Sequence, residues 1–394
     1  MIIIFYFLAA ILVWLSFKSF RGGVEYLRFF RAEIARPKSD FAPFVTVIAP
    51  FRGIDDGLED NLRALIEQNY PQFEIIFVGD DSNDPAIPFI KDVLSANSRL
   101  IIAPKATGMS QKVENLRSAV KEADERTEVF AFVDSDVRPS RDWLRSLVSP
   151  LEYPEIGAST GYRWFISRNP TFASELRSSW NASIASALGP VRGSNFCWGG
   201  SMAIRRDVFE RLKIHKKWKG TLSDDFVVTR AMNEANMPIA FVPQALLASF
   251  GDCGIAQMIE FTVRQMKITR VYAPRLWLMS LIGSGLFVSI LISSILIVFL
   301  SDSTFSQTVA VITFASVTIF STAKAMIRLK AVRMVLTDYE NELNGQRVSQ
   351  YTFWLLTPPV FLINSIAALF SRRFTWRGTA YELKSPTETV IISD

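Results

Sequence analysis

Apolar, β-prone residues from Phe130 to Val133 run straight into Asp134-Ser135-Asp136 within Val129–Ser140, VFAFVDSDVRPS. That is the pattern of a buried strand ending in two carboxylates. In open α/β sheets ligands bind at the C-terminal edge of the strands. Hard oxygen ligands two residues apart can put one carboxylate on a divalent cation and the other on a sugar or ribose hydroxyl. Mg2+ or Mn2+ carrying a diphosphate is the natural guest of such a pair. A turn cap with solvated acids is the alternative that a lone D-x-D leaves open.

Other acids repeat the arrangement. Phe73–Asp81, FEIIFVGDD, is a second apolar run closed by carboxylates, and Asp80, Asp81 and Asp84 stand either in the same crevice or as caps of the helix that Pro85 opens. Farther on, Ser223-Asp224-Asp225 lies at the mouth of a helix whose apolar face includes Phe226, Val227 and Met232, where the helix dipole favours a carboxylate. His215 is the single histidine, so an ionised acid held near a crevice is the candidate general base for an acceptor hydroxyl. N-capping by Asp224 competes with that role and leaves Asp225 free for it. Between the two sets, Ser110 is a cap and Gly108 frees the preceding loop, which presents Lys112 near a helix N-terminus suited to diphosphate oxygens. A solvated surface lysine is the plainer alternative. In Asn195–Ile204, NFCWGGSMAI, adjacent Gly199 and Gly200 let backbone approach a bound ring closely. Trp198 beside them is placed either to stack on a sugar face or to pack in the core.

These residues need a scaffold. Strands Val45–Phe51, Phe73–Asp81 and Leu100–Ala103 alternate with helical patterns over Asp56–Gln68 and Pro85–Leu94, which predicts an α/β domain with a doubly wound, mostly parallel sheet whose strand ends line one crevice. At 394 residues and 49% hydrophobic content, the chain has room for one domain of about 250 residues plus several apolar segments. A positive mean hydropathy of +0.21 in so large a chain argues for a membrane, with the excess at residues 1–17 and beyond 276. The basic residues cluster beside those segments. Anionic headgroups explain them better than nucleic acid does. Cys197 and Cys253 have no metal-ligand spacing, which argues against a zinc site or a disulfide framework.

Residues 1–17 lack the basic start of a cleavable signal and precede Lys18, Arg21, Arg28, Arg31, Arg36 and Lys38, as in an uncleaved anchor with its N-terminus outside. Seventeen residues are near the lower limit for a span, so a re-entrant or interfacial placement also stays open. Leu276–Leu300 and Phe305–Ile327 are long enough to cross, with Lys324, Arg328, Lys330 and Arg333 on the cytosolic side. Thr352–Phe370 reads as a third C-terminal span or, because of Pro358-Pro359, as a re-entrant hairpin. The expected plan is an anchor at 1–17, a basic juxtamembrane linker at 18–43, a cytosolic catalytic domain at 44–254, an amphipathic interfacial helix at 255–275, a membrane region at 276–370 and a cytosolic tail at 371–394.

The ordered motifs P-F-R-G-I-D-D, V-G-D-D-S-N-D-P-A, G-M-S-Q-K-V-E-N-L, D-S-D-V-R, G-G-S-M-A-I-R-R-D-V and S-D-D-F, over about residues 44–272, resemble the inverting glycosyltransferases of family 2, especially their ceramide-glucosyltransferase-like relatives. The resemblance implies a GT-A fold and a nucleotide-diphosphate sugar donor, expected to be UDP-linked, such as UDP-glucose. It implies a lipid hydroxyl acceptor such as ceramide, and an integral protein of a bacterial inner membrane or its equivalent. By the same resemblance Asp81 lies near the uracil or ribose, Asp134 and Asp136 are the metal and nucleotide acids, and Asp225 is the catalytic base. Lys112 and Asn115 match a donor-side loop, with Gln111 where proline is usual. On the acceptor or diphosphate side stand Asp224 and the run Arg264-Gln265-Met266-Lys267-Ile268, which replaces the family's Q/R-x-x-R-W and loses a bidentate, stacking arginine. An amphipathic interfacial helix explains Ile255–Val271 as well. The tail Phe374–Leu383 is similar to the W-R-G-x-x-Y ending of bacterial members and receives no chemical role. A processive polysaccharide synthase and a catalytically silent binding protein are the competing functions; the oligomeric state is not legible.

Overall fold

Continuous apolar runs become the middle of a mixed sheet because only a strand covered on both faces can bury every side chain. In the computed structural model, which describes residues 2–37 and 39–393, three such strands are β1 (Val45–Pro50), β2 (Phe73–Gly79) and β4 (Val129–Val133). Met1, Lys38 and Asp394 lie outside the described residues, and the Lys38 charge with them. The remaining strands of this sheet are β3 (Ser98–Ile102), β5 (Val137–Arg138), β6 (Ala158–Ile166), β7 (Ser201–Arg205) and β8 (Ile239–Phe250). Their order is β3-β2-β1-β4-β7-β6-β8-β5.

The pairing directions decide what meets at each edge. β1 runs parallel to β2 and β4, β2 parallel to β3, and β6 parallel to β8. β7 is antiparallel to both β4 and β6, and β5 is antiparallel to β8, so β7 and β5 alone are reversed among these eight strands. The α/β class with a doubly wound, mostly parallel sheet is therefore what the chain forms. Val133 pairs with Ser201. Residues that follow β4 thus meet residues that precede β7, at the edge where β1 and β2 also end.

The chain divides into two compact units. One comprises residues 32–168, 187–251 and 372–394 and holds the sheet; the other comprises residues 1–31, 169–186 and 252–371 and is helical. Residues beyond 371, expected as a plain tail, fold in the sheet unit as a three-stranded antiparallel sheet of β9 (Arg373–Trp376), β10 (Thr379–Ser385) and β11 (Glu388–Ser393). Alternating burial along β10 explains this, with Thr379, Tyr381 and Leu383 inward.

In the helical unit the first helix runs Ile2–Ile34, so the segment expected as a linker from residue 18 is helical instead. No proline interrupts it before Pro37, and Gly23 sits where Lys324 packs close, a built Cβ lying 3.1 Å from its Cγ. Ile2–Ile34, Pro274–Leu300 and Thr304–Arg333 are long and apolar enough to cross a membrane. Arg347–Leu355 and Thr357–Phe370 meet at a 56° bend and pass the same test as a pair, so the span and the re-entrant hairpin both still fit. The helix expected at 255–275 runs Ile255–Tyr272 and packs Met266 with Trp180 and Ala368.

Candidate active site

Ser110 caps the helix Gln111–Lys121, its hydroxyl accepting the Val113 N–H at 3.2 Å, and so fixes Lys112 in the first turn. The Lys112 ammonium lies 2.6 Å from Asp134 Oδ1 and 3.5 Å from Asp224 Oδ1, tying the end of β4 to the helix Asp224–Glu234. Burial alone would lower the lysine's pKa, but Asp134 and Asp224 outweigh it and hold the ammonium above its usual range. Asp134 behaves in mirror image. Burial pushes its carboxyl up, Lys112 and Arg163 pull harder, and it stays below the usual carboxylate range.

Asp224 is 3% exposed, and its Oδ2 has no hydrogen-bond partner among the described residues. Burial raises its pKa to about 6, only partly offset by Lys112, with Asp225 and Asp134 adding repulsion. The folded chain therefore keeps this proton up to about pH 6, the unfolded chain only to about 3.8. Stability falls as pH rises across that window and stays lower above it. Asp224→Asn is thus expected to stabilise the protein by on the order of 1–3 kcal/mol above pH 7 and by nothing near pH 4. Melting temperatures at the two pH values check this; an equal shift at both would contradict it.

Asp225 is held by three donors. Ser223 Oγ–H and the Phe226 N–H, at 2.7 Å, reach Oδ1, and the Gly199 N–H reaches Oδ2 at 3.3 Å. Side chains are excluded from the glycine pair by contact: a Cβ on Gly199 would lie 2.1 Å from Asp224 Oδ2, and one on Gly200 would lie 2.2 Å from the Trp198 ring and 2.8 Å from Asp134 Oδ2. Neither Asp224 nor Asp225 is the N-cap, which is Ser223. Trp198 is 8% exposed; the Arg163 guanidinium lies over its ring at 5.0 Å, and Tyr162 packs 5.4 Å away. The ring packs in the core, as one of its two candidate roles expects, and in addition holds Arg163.

Arg163 in turn reaches Asp136 Oδ2 at 3.1 Å, leaving Asp136 Oδ1 buried without a hydrogen-bond partner among the described residues. Asp55, in the loop after β1, accepts from Ser135 Oγ at 3.1 Å through Oδ2 and from Arg377 Nη2 at 2.6 Å through Oδ1. Burial and the neighbouring Asp136 charge raise the Asp55 pKa, against the pull of Arg377. Three acids thus each have a cation, Lys112 for Asp134, Arg163 for Asp136 and Arg377 for Asp55, with Lys112 shared by Asp224.

The sequence alone gives Asp55, Arg163 and Arg377 no chemical role. An arginine inside the apolar strand GASTGYRWF is a signal in itself, since a buried guanidinium needs a carboxylate. Other expected residues stand apart from the cluster. Asp81 is exposed and accepts the Asn83 N–H at 2.8 Å, though it lies at the strand edge that the β4 acids share. Asp84 is a turn acid, bonding the N–H groups of Gly53 and Ala86, and Asp80 pairs with Lys105 at 2.7 Å. Asn115 is turned inward, donating to Val78 O at 3.4 Å and accepting from Gln111. Arg264, Gln265 and Lys267 ride the helix Ile255–Tyr272 of the helical unit, where Arg264 lies over Phe261 at 5.5 Å and partial burial lowers the Lys267 pKa. Ile268, where the resembling family has tryptophan, is buried.

Among the described residues no three acids, histidines or cysteines form a ready metal cage. Mg2+ is commonly held by one or two carboxylates plus substrate phosphates, and the open, buried Oδ1 of Asp136 suits that mode.

The family model for Glycosyl transferase family 21 matches residues 6–389. A ceramide glucosyltransferase of Candida albicans is 32% identical over 123 residues, 27% of this chain and 22% of that protein. A ceramide glucosyltransferase of Komagataella phaffii is 27% identical over 127 residues, 30% and 25% of the two chains. The matches thus span about a quarter of these relatives' length. A solved mannosyltransferase from Pyrobaculum calidifontis, in complex with GDP-Man and Mn2+, aligns over 92% of this chain and 99% of its own at 16% identity, with a TM-score of 0.45.

Proposed function

The chain belongs to glycosyl transferase family 21, and on that footing we propose that it is a membrane-bound inverting transferase moving a hexose from a UDP-linked donor to a lipid hydroxyl such as that of ceramide. The observation that carries this is the lysine that joins the D-x-D acid Asp134 to Asp224, with Asp225 fixed beside it by Gly199 and Ser223.

Asp225 takes the proton of the acceptor hydroxyl as its oxygen attacks the anomeric carbon, and the bond to the diphosphate oxygen breaks on the opposite face. One displacement with one base inverts the anomeric centre. A divalent cation, Mg2+ or Mn2+, held by Asp136 with Asp134 beside it, would offset charge on the departing diphosphate. Lys112 supplies a positive charge at a helix N-terminus next to the same acids, which favours diphosphate oxygens there. Gly199 and Gly200 make the room in which Asp224, Trp198 and Asp134 close on the backbone of the crevice, and Asp81 borders the nucleoside end of it. Arg264 and Lys267, on the helix Ile255–Tyr272 of the helical unit, are proposed to meet the lipid acceptor. Lys330 and Arg333, in the last turn of Thr304–Arg333, support the reading that this end of the helix faces the cytosol, the leaflet in which an acyl-chain acceptor would be met.

Transfer of labelled hexose from UDP-hexose into an extractable lipid by the purified chain in nanodiscs tests the proposal. A label that stays wholly in the aqueous phase would count against it.

A further inference from the structure

β9 and β10 are joined by two residues, with Trp376 pairing Thr379 across the turn. Both turn residues are left-handed, Arg377 at φ +51° and Gly378 at +85°. This is a two-residue hairpin of the type that asparagine and glycine usually occupy, and an arginine there is held in a conformation its Cβ disfavours. The hairpin is anchored behind its tip. Tyr381 is 2% exposed and its hydroxyl accepts the Gln111 N–H at 3.3 Å, one residue before Lys112. Arg52 donates to Thr379 Oγ1 at 3.0 Å. What this anchoring delivers is a guanidinium against Asp55, whose other oxygen bonds the serine of Asp134-Ser135-Asp136. The Arg377 side chain is 39% exposed while Asp55 is 13%, and of its five donors only one has a partner among the described residues.

We propose that Arg377, supplied by the C-terminal hairpin, binds the diphosphate of the sugar donor. The proposal rests on the donor reading above. A carboxylate holds Arg377 in place until a phosphate, which accepts the same fork of N–H groups bidentately, takes over the open face of the guanidinium. Asp136 and Asp134 lie near enough for their charge to act on Arg377 as well, which puts the guanidinium within the field of the D-x-D acids. The tail is thereby part of the donor pocket.

Binding of UDP, GDP and UMP to the full chain in nanodiscs, with Mn2+ present, tests this by calorimetry. Wild type is expected to bind a nucleoside diphosphate more tightly than the matching monophosphate. Arg377→Gln should shrink that preference at least tenfold and leave UMP within about twofold, and Arg377→Lys should fall between. Arg373→Gln, which removes a charge from the same hairpin away from Asp55, should change the preference less than twofold. An unchanged preference in both Arg377 variants would overturn the proposal. So would an equal loss in Arg373→Gln, which would make any loss of positive charge on the hairpin sufficient. Melting temperatures identify a misfolded Arg377→Gln, and the lysine variant then carries the test. A wild type that takes neither diphosphate would overturn the donor assignment itself.

Discussion

Asp225→Asn is expected to lower turnover roughly a thousandfold while leaving donor affinity within about twofold of wild type. Asparagine keeps an oxygen for Ser223 Oγ–H and the Phe226 N–H, and only the longer Gly199 N–H contact, 3.3 Å, loses its acceptor. What disappears is the ability to accept a proton. Steady-state transfer and UDP binding, measured on the same preparation, separate the two effects. Undiminished turnover would remove Asp225 as the base, and a matching loss of donor affinity would move it into the binding pocket.

Asp136→Asn is the second large effect. Its Oδ1 is buried without a hydrogen-bond partner among the described residues, so an amide there leaves either a donor or an acceptor stranded and removes the charge a cation would need. Affinity for Mn2+, read by electron paramagnetic resonance in the presence of UDP, should fall more than tenfold, and kcat/KM on the order of a hundredfold. Arg163 keeps an acceptor if the asparagine oxygen takes the Oδ2 place, and it stays stacked on Trp198, so a melting temperature within a few degrees of wild type is the check that the fold is spared. Normal Mn2+ binding in this variant would separate Asp136 from the ion.

Which features the sequence discloses follows from how local they are. Asp225 stands out only as an acid at a helix start, whereas β2 and β4 are apolar runs whose acids follow them in chain order, so the sheet class and the positions of Asp134 and Asp136 are legible without a fold. The reversed strands β7 and β5 are not, because direction is set by pairing with distant partners. Charge matching is equally non-local. Arg163 lies 27 residues from Asp136, and Arg377 lies 322 from Asp55. Both acid loops stand out in the sequence, but their counter-ions can be chosen only once the strands are ordered. Asn115 is a case where position and contacts differ. It matches a family loop by position, yet its side chain joins Gln111 and the backbone of β2 rather than the crevice. The first helix outran its expected end because basic residues from Lys18 onward mark where a membrane stops, not where a helix does.

The most direct measurement is transfer itself, made with the purified chain in nanodiscs containing a ceramide-rich lipid extract, UDP-hexose labelled in the sugar, and Mn2+. The label is expected to enter the lipid phase, to remain in water when a chelator is added, and to appear β-linked from an α-linked donor by nuclear magnetic resonance. Label confined to water with every acceptor and donor hexose tried, or an α-linked product, would contradict the account.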